Sequence, residues 1–196
     1  MEERSLLNLR EMVCGAGNQL RYVVRYATCR KQHHETVAEH QFYTAFFTMI
    51  IAQHCTGVNV GLAVQRALVH DVEEHATGDI VRPIKHQFKD AAHAVAVNEA
   101  QSFFSKIAPS CWPDLFKHWQ DAKDSTREGR IVAFADYLSV LSYLSQEIRG
   151  GNSLIIGNML QLREYAASFS DPEFDFIRSY VMEADEIVAE FLGAKR

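Results

Sequence analysis

Four ionisable residues interrupt segments that otherwise carry the apolar periodicity of helices: His40, His70, Asp71 and Asp136. Their order is H…HD…D, with 30 residues from the first histidine to the second and 65 from the first aspartate to the second. An ionised side chain buried without a partner is costly, so each carboxylate needs a cation, a donor or a proton. Two imidazoles and two carboxylates suit one divalent metal ion. The pattern therefore favours a fold in which distant helices meet around a single cation.

The neighbours of Asp136 and His40 place both side chains on apolar stripes. Val132 and Val140 lie four residues before and after Asp136, one helical turn away in each direction. His40 follows Val37 by three residues, so it also points toward a core. A core histidine with ordinary hydrogen bonds is the alternative for His40, whereas a buried aspartate requires a stronger partner.

The adjacent pair His70-Asp71 is predicted to lie on a helix together with Glu74. Neighbouring side chains point roughly 100° apart on a helix, and an ion between the two directions can still contact both. Glu74 follows His70 by four residues and Asp71 by three, which places it on the same side. Glu74 can therefore hold or deprotonate a water molecule beside the ion. Glu73 is predicted to belong to a solvated acidic face.

The composition limits the class of protein and of partner. The chain has 196 residues, 47% of them apolar, which favours one folded domain spanning residues 1–196. The net charge of -5 argues against nucleic-acid polymers as partners. The apolar run at residues 42–52 is about half as long as a membrane span. The four cysteines form no C-x-x-C pair and no signal stretch follows the first residues, so we expect free thiols and a cytoplasmic protein.

Helical periodicity dominates, and no segment alternates with period two over a convincing length. We predict an all-α fold, a compact bundle of six to nine helices. Residues 35–54 are apolar nearly all round, which is typical of a central, buried helix. Further helices are predicted at residues 60–76 and 85–107, with a loop at residues 80–83 between them.

Capping signals mark the later helices. S-T-R-E at residues 125–128 fits a capping box that starts a long helix, which the glycines at 150 and 151 end. Asp171 and Pro172 predict the N-cap and first position of a last helix, which Gly193 ends. The apolar residues of that helix recur at intervals of three or four: Phe174, Ile177, Val181, Ala184, Val188 and Phe191.

The four ligand candidates belong to longer motifs with a fixed order. These are T-V-A-E-H at residues 36–40, A-L-V-H-D-V-E-E at 67–74, T-G-D at 77–79, then Pro83, Lys85 and the pair Ala135-Asp136. Together they resemble the HD-domain metal-dependent phosphohydrolases, and among these the bacterial 5′-deoxynucleotidase (YfbR-like) branch, over roughly residues 20–145.

This resemblance implies an all-helical, commonly dimeric enzyme that acts on deoxynucleotides with one divalent ion. The ion would be cobalt, manganese, zinc, iron or magnesium. Asp71 and Glu74 would be the catalytic carboxylates, Glu74 assisting the water. The implied metal ligands are His40, His70, Asp71 and Asp136.

The resemblance also assigns four residues to the substrate. Arg25 falls where the family uses an arginine on phosphate, for which its planar fork is suited. Tyr26 replaces a family tryptophan that crowds a ribose 2′-hydroxyl, so the sugar discrimination of this chain is open. Asp79 corresponds to a residue near the sugar hydroxyls, with a helix cap as the alternative. Lys85 meets phosphate or is simply solvated.

A triphosphohydrolase on the same scaffold is the first alternative. Small HD enzymes from bacteriophages, including dATP-specific ones, resemble this chain and release triphosphate by cleaving the α-phosphate ester. Such a substrate needs more positive charge near the ion, and the candidates for that charge are Arg21, Arg25, Arg30, Lys31, Arg82, Lys85 and Lys89.

Two further alternatives remain. A two-metal HD enzyme, either a cyclic-dinucleotide phosphodiesterase or a diiron oxygenase, would need extra ligands, for which the candidates are His75, His86, His93 and His118. No G-Y-P follows the HD pair, which disfavours the phosphodiesterase, and an alarmone hydrolase would need an acid at position 75. A non-catalytic binding module is disfavoured because the tetrad and Glu74 are all present.

Overall fold

Helices make up the architecture of the chain. The structure, a computed structural model, describes residues 7–193, apart from three side chains at positions 82, 83 and 86. The α-helices are α1 (Leu9–Cys14), α2 (Ala16–Gln19), α3 (Val37–Gln53), α4 (Val60–Val69), α5 (Glu74–Thr77), α6 (Arg82–Gln87), α7 (Lys89–Ile107), α8 (Trp112–Gln120), α9 (Arg127–Arg149), α10 (Ile156–Ala166) and α11 (Arg178–Gly193). Short 3-10 helices lie at Ser153–Ile155, Ala167–Ser170 and Pro172–Ile177.

The predicted all-α bundle of six to nine helices is confirmed, since seven of these helices have nine or more residues. Within residues 7–193, extended backbone pairs only at one isolated bridge, between Val24 and Thr36. No helix in this part of the chain has the length and hydropathy needed to cross a membrane.

The long helix α9 is the centre of the bundle and contacts α3, α4, α10 and α11. Its side chains Ile131, Phe134 and Tyr137 are at most 1% exposed. Phe169 packs against the last two, with ring centroids 5.4 and 5.3 Å away. This aromatic packing removes a large apolar area from water and fixes the rotation of α9. As a result, Asp136 is held on the side of α9 that faces α3.

A capping box starts α3 and sets the position of His40. The Thr36 hydroxyl accepts a hydrogen bond from the Glu39 backbone N–H at 3.2 Å, and the Glu39 carboxylate accepts from the Thr36 N–H at 2.7 Å. Both bonds satisfy backbone donors that the first helical turn leaves without partners. His40 therefore leaves α3 at its first turn, and it is fully buried.

The prediction that α3 is buried on all sides is wrong for one of its faces. Thr44 and Thr48, on the inner side with His40, are 0% exposed. On the opposite side five large hydrophobic residues, which we call the outer α3 face, are 41–60% exposed: Phe42, Tyr43, Phe46, Met49 and Ile50. An apolar pattern around a helix does not distinguish a core from a surface that another chain covers.

The helix predicted at residues 60–76 is also wrong, because it is broken at the His-Asp pair. Helix α4 ends at Val69 and α5 begins at Glu74. Between them, tight bonds join the Val72 N–H to the Val69 carbonyl and the Glu74 N–H to the Asp71 carbonyl, both at 3.2 Å. These bonds span three residues instead of four, so the directions of the side chains differ from those of a continuous helix.

Smaller differences occur at other helix ends. The N-cap of α9 is Thr126, whose hydroxyl accepts from the Gly129 N–H at 3.2 Å, so the capping box predicted at residues 125–128 is wrong. Glu128 instead accepts from the Asn59 N–H at 2.7 Å. Part of the loop predicted at residues 80–83 belongs to α6, which Phe88 separates from α7. The end predicted near Gly150 agrees with the structure. The end predicted at Gly193 stays a prediction, because this residue is the last one that the structure describes.

Candidate active site

The structure brings the four candidate ligands together from three places in the chain. His40 comes from α3, Asp136 from α9, and His70 and Asp71 from the turn between α4 and α5. The His40 Nε2 atom lies 3.0 Å from Asp136 Oδ1 and 3.6 Å from Asp71 Oδ2. The His70 Nε2 atom lies 3.1 Å from Asp71 Oδ2 and 3.3 Å from His40 Nε2. Two ring nitrogens and two carboxylates therefore face one point.

The other nitrogen of each imidazole ring is fixed by a hydrogen bond. His70 Nδ1 lies 2.7 Å from the Ala67 carbonyl, which can only accept, so this nitrogen carries the proton. His40 Nδ1 lies 3.0 Å from Ser139 Oγ, whose hydroxyl donates to the His40 carbonyl at 3.4 Å. We assign the proton of His40 to Nδ1 as well, since this hydroxyl then accepts. Both Nε2 lone pairs consequently point into the centre, as they do in metal sites.

His40, Asp71 and Asp136 are all unprotonated at their ligand atoms at neutral pH. Burial lowers the pKa of His40 to about 4, so its ring is neutral at neutral pH. Burial acts to raise the pKa of Asp71, but nearby positive charges, those of Lys123 and Lys85 among them, hold it well below its usual value. Burial also opposes ionisation of Asp136, whose pKa the Lys123 ammonium nevertheless holds well below its usual value. Both aspartates are therefore carboxylates, and the His40 imidazole is free to act as a ligand.

This donor set fits a divalent cation. His40, His70 and Asp71 offer ligand atoms that all lie within 4.8 Å of one another, and Asp136 joins them through its contact with His40. Two neutral nitrogens and two anionic carboxylates would neutralise a charge of two. Without a cation, two ring lone pairs would face each other at 3.3 Å, which is unfavourable in a buried site.

Glu74 lies next to this centre and is almost fully buried, with 2% of its surface exposed. Its Oε1 atom accepts a hydrogen bond from Lys85 Nζ at 2.7 Å, while its Oε2 atom has no hydrogen-bond partner. Burial and the charge of Asp71 raise the pKa of Glu74 to about 8. A buried carboxylate oxygen without a donor is suited to bind a water molecule or a substrate proton.

Glu73 was predicted to be solvated, and this prediction is wrong. The residue is 8% exposed, and its Oε2 atom accepts a hydrogen bond from the indole nitrogen of Trp119 at 2.7 Å. Burial, together with the charge of Asp71, raises the pKa of Glu73 to about 7. The side chain thus attaches the His-Asp turn to α8, a role that the sequence pattern did not indicate.

Arg25 lies beside the centre and is paired with a buried acid. Its Nη1 atom is 2.8 Å from Glu35 Oε2, and the backbone N–H of Arg25 donates to the Glu35 carbonyl at 2.9 Å. Although burial acts to lower it, the pKa of Arg25 is raised by neighbours that include Tyr26, Glu35, Asp136 and Asp71. The guanidinium therefore lies within electrostatic reach of the two aspartates.

Tyr26 is held in a strained backbone conformation next to Arg25. Its φ of 54° makes it the one non-glycine residue with positive φ within residues 7–193. Asp79 Oδ2 accepts its backbone N–H at 2.8 Å, and Lys31 Nζ donates to its carbonyl at 3.0 Å. The ring stacks on Tyr143 with centroids 5.2 Å apart. Strain maintained by several contacts is typical of functional sites.

The contact with Tyr26 gives Asp79 a structural role that differs from the predicted helix cap. Helix α5 is ended by Gly78, which has a φ of 69° and whose N–H donates to the Glu74 carbonyl. Asp79 is therefore not the cap of that helix, and its carboxylate instead fixes the segment that carries Arg25 and Tyr26.

Lys123 is close to the centre, although nothing in the sequence pattern indicated this position. Its Nζ atom lies 2.6 Å from Asp136 Oδ2. A lysine in the polar stretch between α8 and α9 is typical of a solvated surface, so only the fold places it here. Other basic residues considered for a triphosphate are exposed, namely Arg21, Arg30 and Lys89.

The extra histidines do not form a second ligand cluster. His75 Nδ1 lies 2.9 Å from the Val72 carbonyl, and its ring packs on Phe103 with centroids 5.0 Å apart. His93 is exposed, and His118 is partly buried. The side chain of His86 lies outside the described part. Among the described side chains, the one group of three or more metal-binding residues is that of His40, His70 and Asp71.

Curated and solved proteins resemble this chain along most of its length. A 5′-deoxynucleotidase of Yersinia pestis (strain Pestoides F) is 27% identical over 188 residues, covering 89% of this chain and 95% of that protein. A 5′-deoxynucleotidase of Yersinia pseudotuberculosis serotype O:1b matches to the same extent.

Two solved structures share the fold. An HD-domain phosphohydrolase from Listeria innocua has a TM-score of 0.67 at 24% identity, covering 91% of this chain and 83% of that one. A protein from Pyrococcus horikoshii OT3 has a TM-score of 0.70 at 21% identity, covering 88% and 96%. The model of the YfbR-like 5′-deoxynucleotidase family matches residues 15–185, and the chain therefore belongs to this family.

Proposed function

We propose that this chain is a metal-dependent 5′-deoxynucleotidase, which hydrolyses the 5′-phosphate ester of 2′-deoxynucleotides. The observation that supports this proposal most is the convergence of two imidazole nitrogens and two carboxylates beside the partnerless Oε2 atom of Glu74. Membership of the family agrees with it, as do the names of the Yersinia relatives.

The proposed metal is one divalent ion: cobalt, manganese, zinc, iron or magnesium. When bound, such an ion polarises a phosphate oxygen and lowers the pKa of a water molecule, which a very slow hydrolysis requires. The ring orientations are already set, because Ser139 and the Ala67 carbonyl hold the Nδ1 atoms. The residues that would bind the ion are His40, His70, Asp71 and Asp136.

Glu74 is the proposed general base, and Asp71 is the second catalytic carboxylate, since it would help to hold the ion. Water attacks phosphorus and gives one proton to Glu74; the P–O5′ bond breaks, and this proton passes to the leaving O5′ oxygen. The products are inorganic phosphate and the deoxynucleoside. Lys85 holds Oε1 of Glu74 and leaves Oε2 free to accept this proton. The raised pKa of about 8 suits proton exchange near neutral pH.

Arg25 is the proposed phosphate ligand, since a guanidinium offers several donors to an anion. Its Nε atom is buried without a hydrogen-bond partner, while one Nη atom is bound to Glu35. Tyr26 and Asp79 are the proposed contacts of the deoxyribose, and Lys85 a further phosphate contact. The strained backbone of Tyr26 supports the assignment to the deoxyribose, because the Asp79 carboxylate holds that backbone in place.

A triphosphohydrolase is the second candidate function. It is favoured by one observation, the presence of three cationic side chains around the centre: Arg25, Lys85 and Lys123. The monophosphatase remains our proposal, because Lys123 is already paired with Asp136 and the Yersinia relatives are named 5′-deoxynucleotidases.

A nucleotide panel with product identification tests the proposal. The purified chain, supplied with manganese or cobalt, is incubated with ribo- and deoxynucleoside mono-, di- and triphosphates, and the products are separated by ion-exchange chromatography. We expect inorganic phosphate from deoxynucleoside monophosphates, and release about a thousandfold slower with Glu74→Gln. Release of triphosphate would establish the second candidate instead. If no nucleotide yields a product, the remaining candidate is a non-catalytic binding module.

We also propose that the chain forms a homodimer through the outer α3 face. Scattered exposed apolar residues are ordinary, but five on one side of a single helix mark an interaction surface. Phe46→Asp should convert a dimer into a monomer in light scattering, whereas Leu154→Asp, at a 67% exposed residue outside this face, should not. A monomeric wild type would exclude this assembly.

The four free cysteines agree with a proposed cytoplasmic location.

A further inference from the structure

Lys123 contacts the centre from a part of the chain that carries none of the phosphohydrolase motifs. It lies between α8 and α9, and its Nζ atom is 2.6 Å from Asp136 Oδ2. The other carboxylate oxygen, Asp136 Oδ1, is the one that faces His40 Nε2, at 3.0 Å. The two oxygens of one carboxylate are therefore used differently, one toward the centre and one toward an ammonium group.

The segment that carries Lys123 is fixed by a buried arginine of α4. Arg66 is 6% exposed, and its Nη1 atom lies 3.1 Å from Asp124 Oδ1 and 2.8 Å from the Thr126 hydroxyl. Arg66 precedes His70 by four residues. Helix α4, which leads into the His-Asp turn, therefore also holds the segment that carries Lys123. The contact between Lys123 and Asp136 is thus fixed by the fold.

We propose that Lys123 is a positioning residue of the metal centre. Its ammonium group engages Asp136 Oδ2, so that Asp136 presents only Oδ1 to a divalent ion and binds that ion less tightly than a free carboxylate would. This inference rests on the proposed function, because it assumes that the centre holds an ion.

The physical reason is that two cations share the charge of one carboxylate. The ammonium group draws electron density from Asp136 and repels a nearby divalent ion, so each cation weakens the hold of the carboxylate on the other. An ion with a weaker ligand keeps more of its positive charge for the phosphate. Removal of the ammonium group should therefore tighten metal binding and slow turnover at the same time, whereas a damaged site would lose both.

The test compares the wild type with three variants of the full chain. Lys123→Met removes the ammonium group, and Lys123→Arg keeps a cationic donor for Asp136. The matched control is Lys117→Met, which removes the same charge from a side chain that is 72% exposed and pairs with Asp121. Each protein is freed of metal, titrated with Co²⁺ in a calorimeter, and recorded in the visible absorption spectrum of bound Co²⁺.

We expect Lys123→Met to bind Co²⁺ about tenfold more tightly, because a positive charge near the ion is removed, and to turn over about tenfold more slowly. Its Co²⁺ absorption should weaken, because Asp136 can then offer both oxygens and the coordination number rises. Lys123→Arg should restore the wild-type spectrum and affinity, and Lys117→Met should match the wild type in all three measurements.

Unchanged or weaker Co²⁺ binding by Lys123→Met, with an unchanged spectrum, would overturn the positioning role. A rise only in KM for the nucleotide in Lys123→Met would also overturn the positioning role, since Lys123 would then contact the substrate. The metal measurements need no nucleotide. If the wild type binds Co²⁺ but hydrolyses no nucleotide, the proposed function fails while the contrast between Met and Arg still decides the role of Lys123.

Discussion

Two buried carboxylate sites in this molecule differ in whether their hydrogen bonds are complete. Glu147 of α9 is 0% exposed, and its carboxylate accepts from the Gln32 N–H at 2.9 Å, the His33 N–H at 2.7 Å and the Asn152 amide at 2.6 Å. The Glu147 carboxylate thus accepts hydrogen bonds from three neutral N–H donors. No cation is needed, and the site joins the segment before α3 to the end of α9.

The candidate metal centre is the opposite case. The Nε2 atoms of His40 and His70 face each other and two carboxylates, and Glu74 Oε2 has no donor. A buried polar group with complete bonding stabilises a fold, whereas an incomplete one lowers stability unless a ligand completes it. The difference indicates that the Glu147 site maintains the structure, whereas the candidate metal centre serves function. Mutations at the two sites test this distinction.

The largest effect is expected from Asp71→Ala. Loss of this ligand should reduce turnover by about ten-thousandfold or more, because the charge that retains the ion is removed. The fold should persist, since Asp71 mainly faces other acceptors. Turnover and far-UV circular dichroism check this, with Asp185→Ala, an exposed carboxylate of α11, as the control. Turnover within tenfold of the wild type would contradict the comparison.

Glu74→Gln should reduce turnover by about a thousandfold, the scale of a lost general base. Metal content should stay at the wild-type value, because Glu74 is not among the proposed ligands. Metal analysis and single-turnover kinetics measure the two quantities on the same preparation. Loss of the ion together with turnover would show that Glu74 belongs to the ligand set.

Glu147→Ala should act on stability instead of chemistry. It leaves the Gln32 and His33 N–H groups and the Asn152 amide without their acceptor, which should lower the free energy of unfolding by about 3 kcal/mol. Urea unfolding measures this loss. Turnover per folded molecule should equal that of the wild type, and a loss of turnover in fully folded protein would remove the distinction between the two sites.

The smallest effect concerns pH and the same residue. Burial acts to raise the pKa of Glu147, but hydrogen bonds from Asn152, Gln32 and His33 lower it below the ordinary value of 4.5. A carboxyl with a lowered folded pKa stabilises the fold above its unfolded pKa, and this stabilisation is lost as pH falls. The unfolding free energy should therefore decrease below about pH 4.5, and less steeply in Glu147→Gln. Equal slopes would contradict this assignment.

The sequence predicted features that depend on local rules. The apolar stripes around His40 and Asp136 indicated helices that face a core, and the glycines at 150 and 151 indicated a helix end. The order of the motifs indicated which distant residues meet. Each of these inferences rests on neighbours within one or two helical turns.

Features set by distant contacts could not be predicted. Glu73 is buried because Trp119, 46 residues later, donates to it. Lys123 reaches Asp136 because Arg66 of another helix holds the segment before α9. The break after Val69 replaces four-residue hydrogen bonds by three-residue ones, a choice that helical periodicity does not reveal.

The most direct measurement is anomalous diffraction at the cobalt edge from crystals of the chain grown with Co²⁺. We expect one strong peak per chain, from an ion bound by the Nε2 atoms of His40 and His70 and by oxygens of Asp71 and Asp136. A peak at another place, or no peak at these four side chains in crystals of active protein, would contradict it.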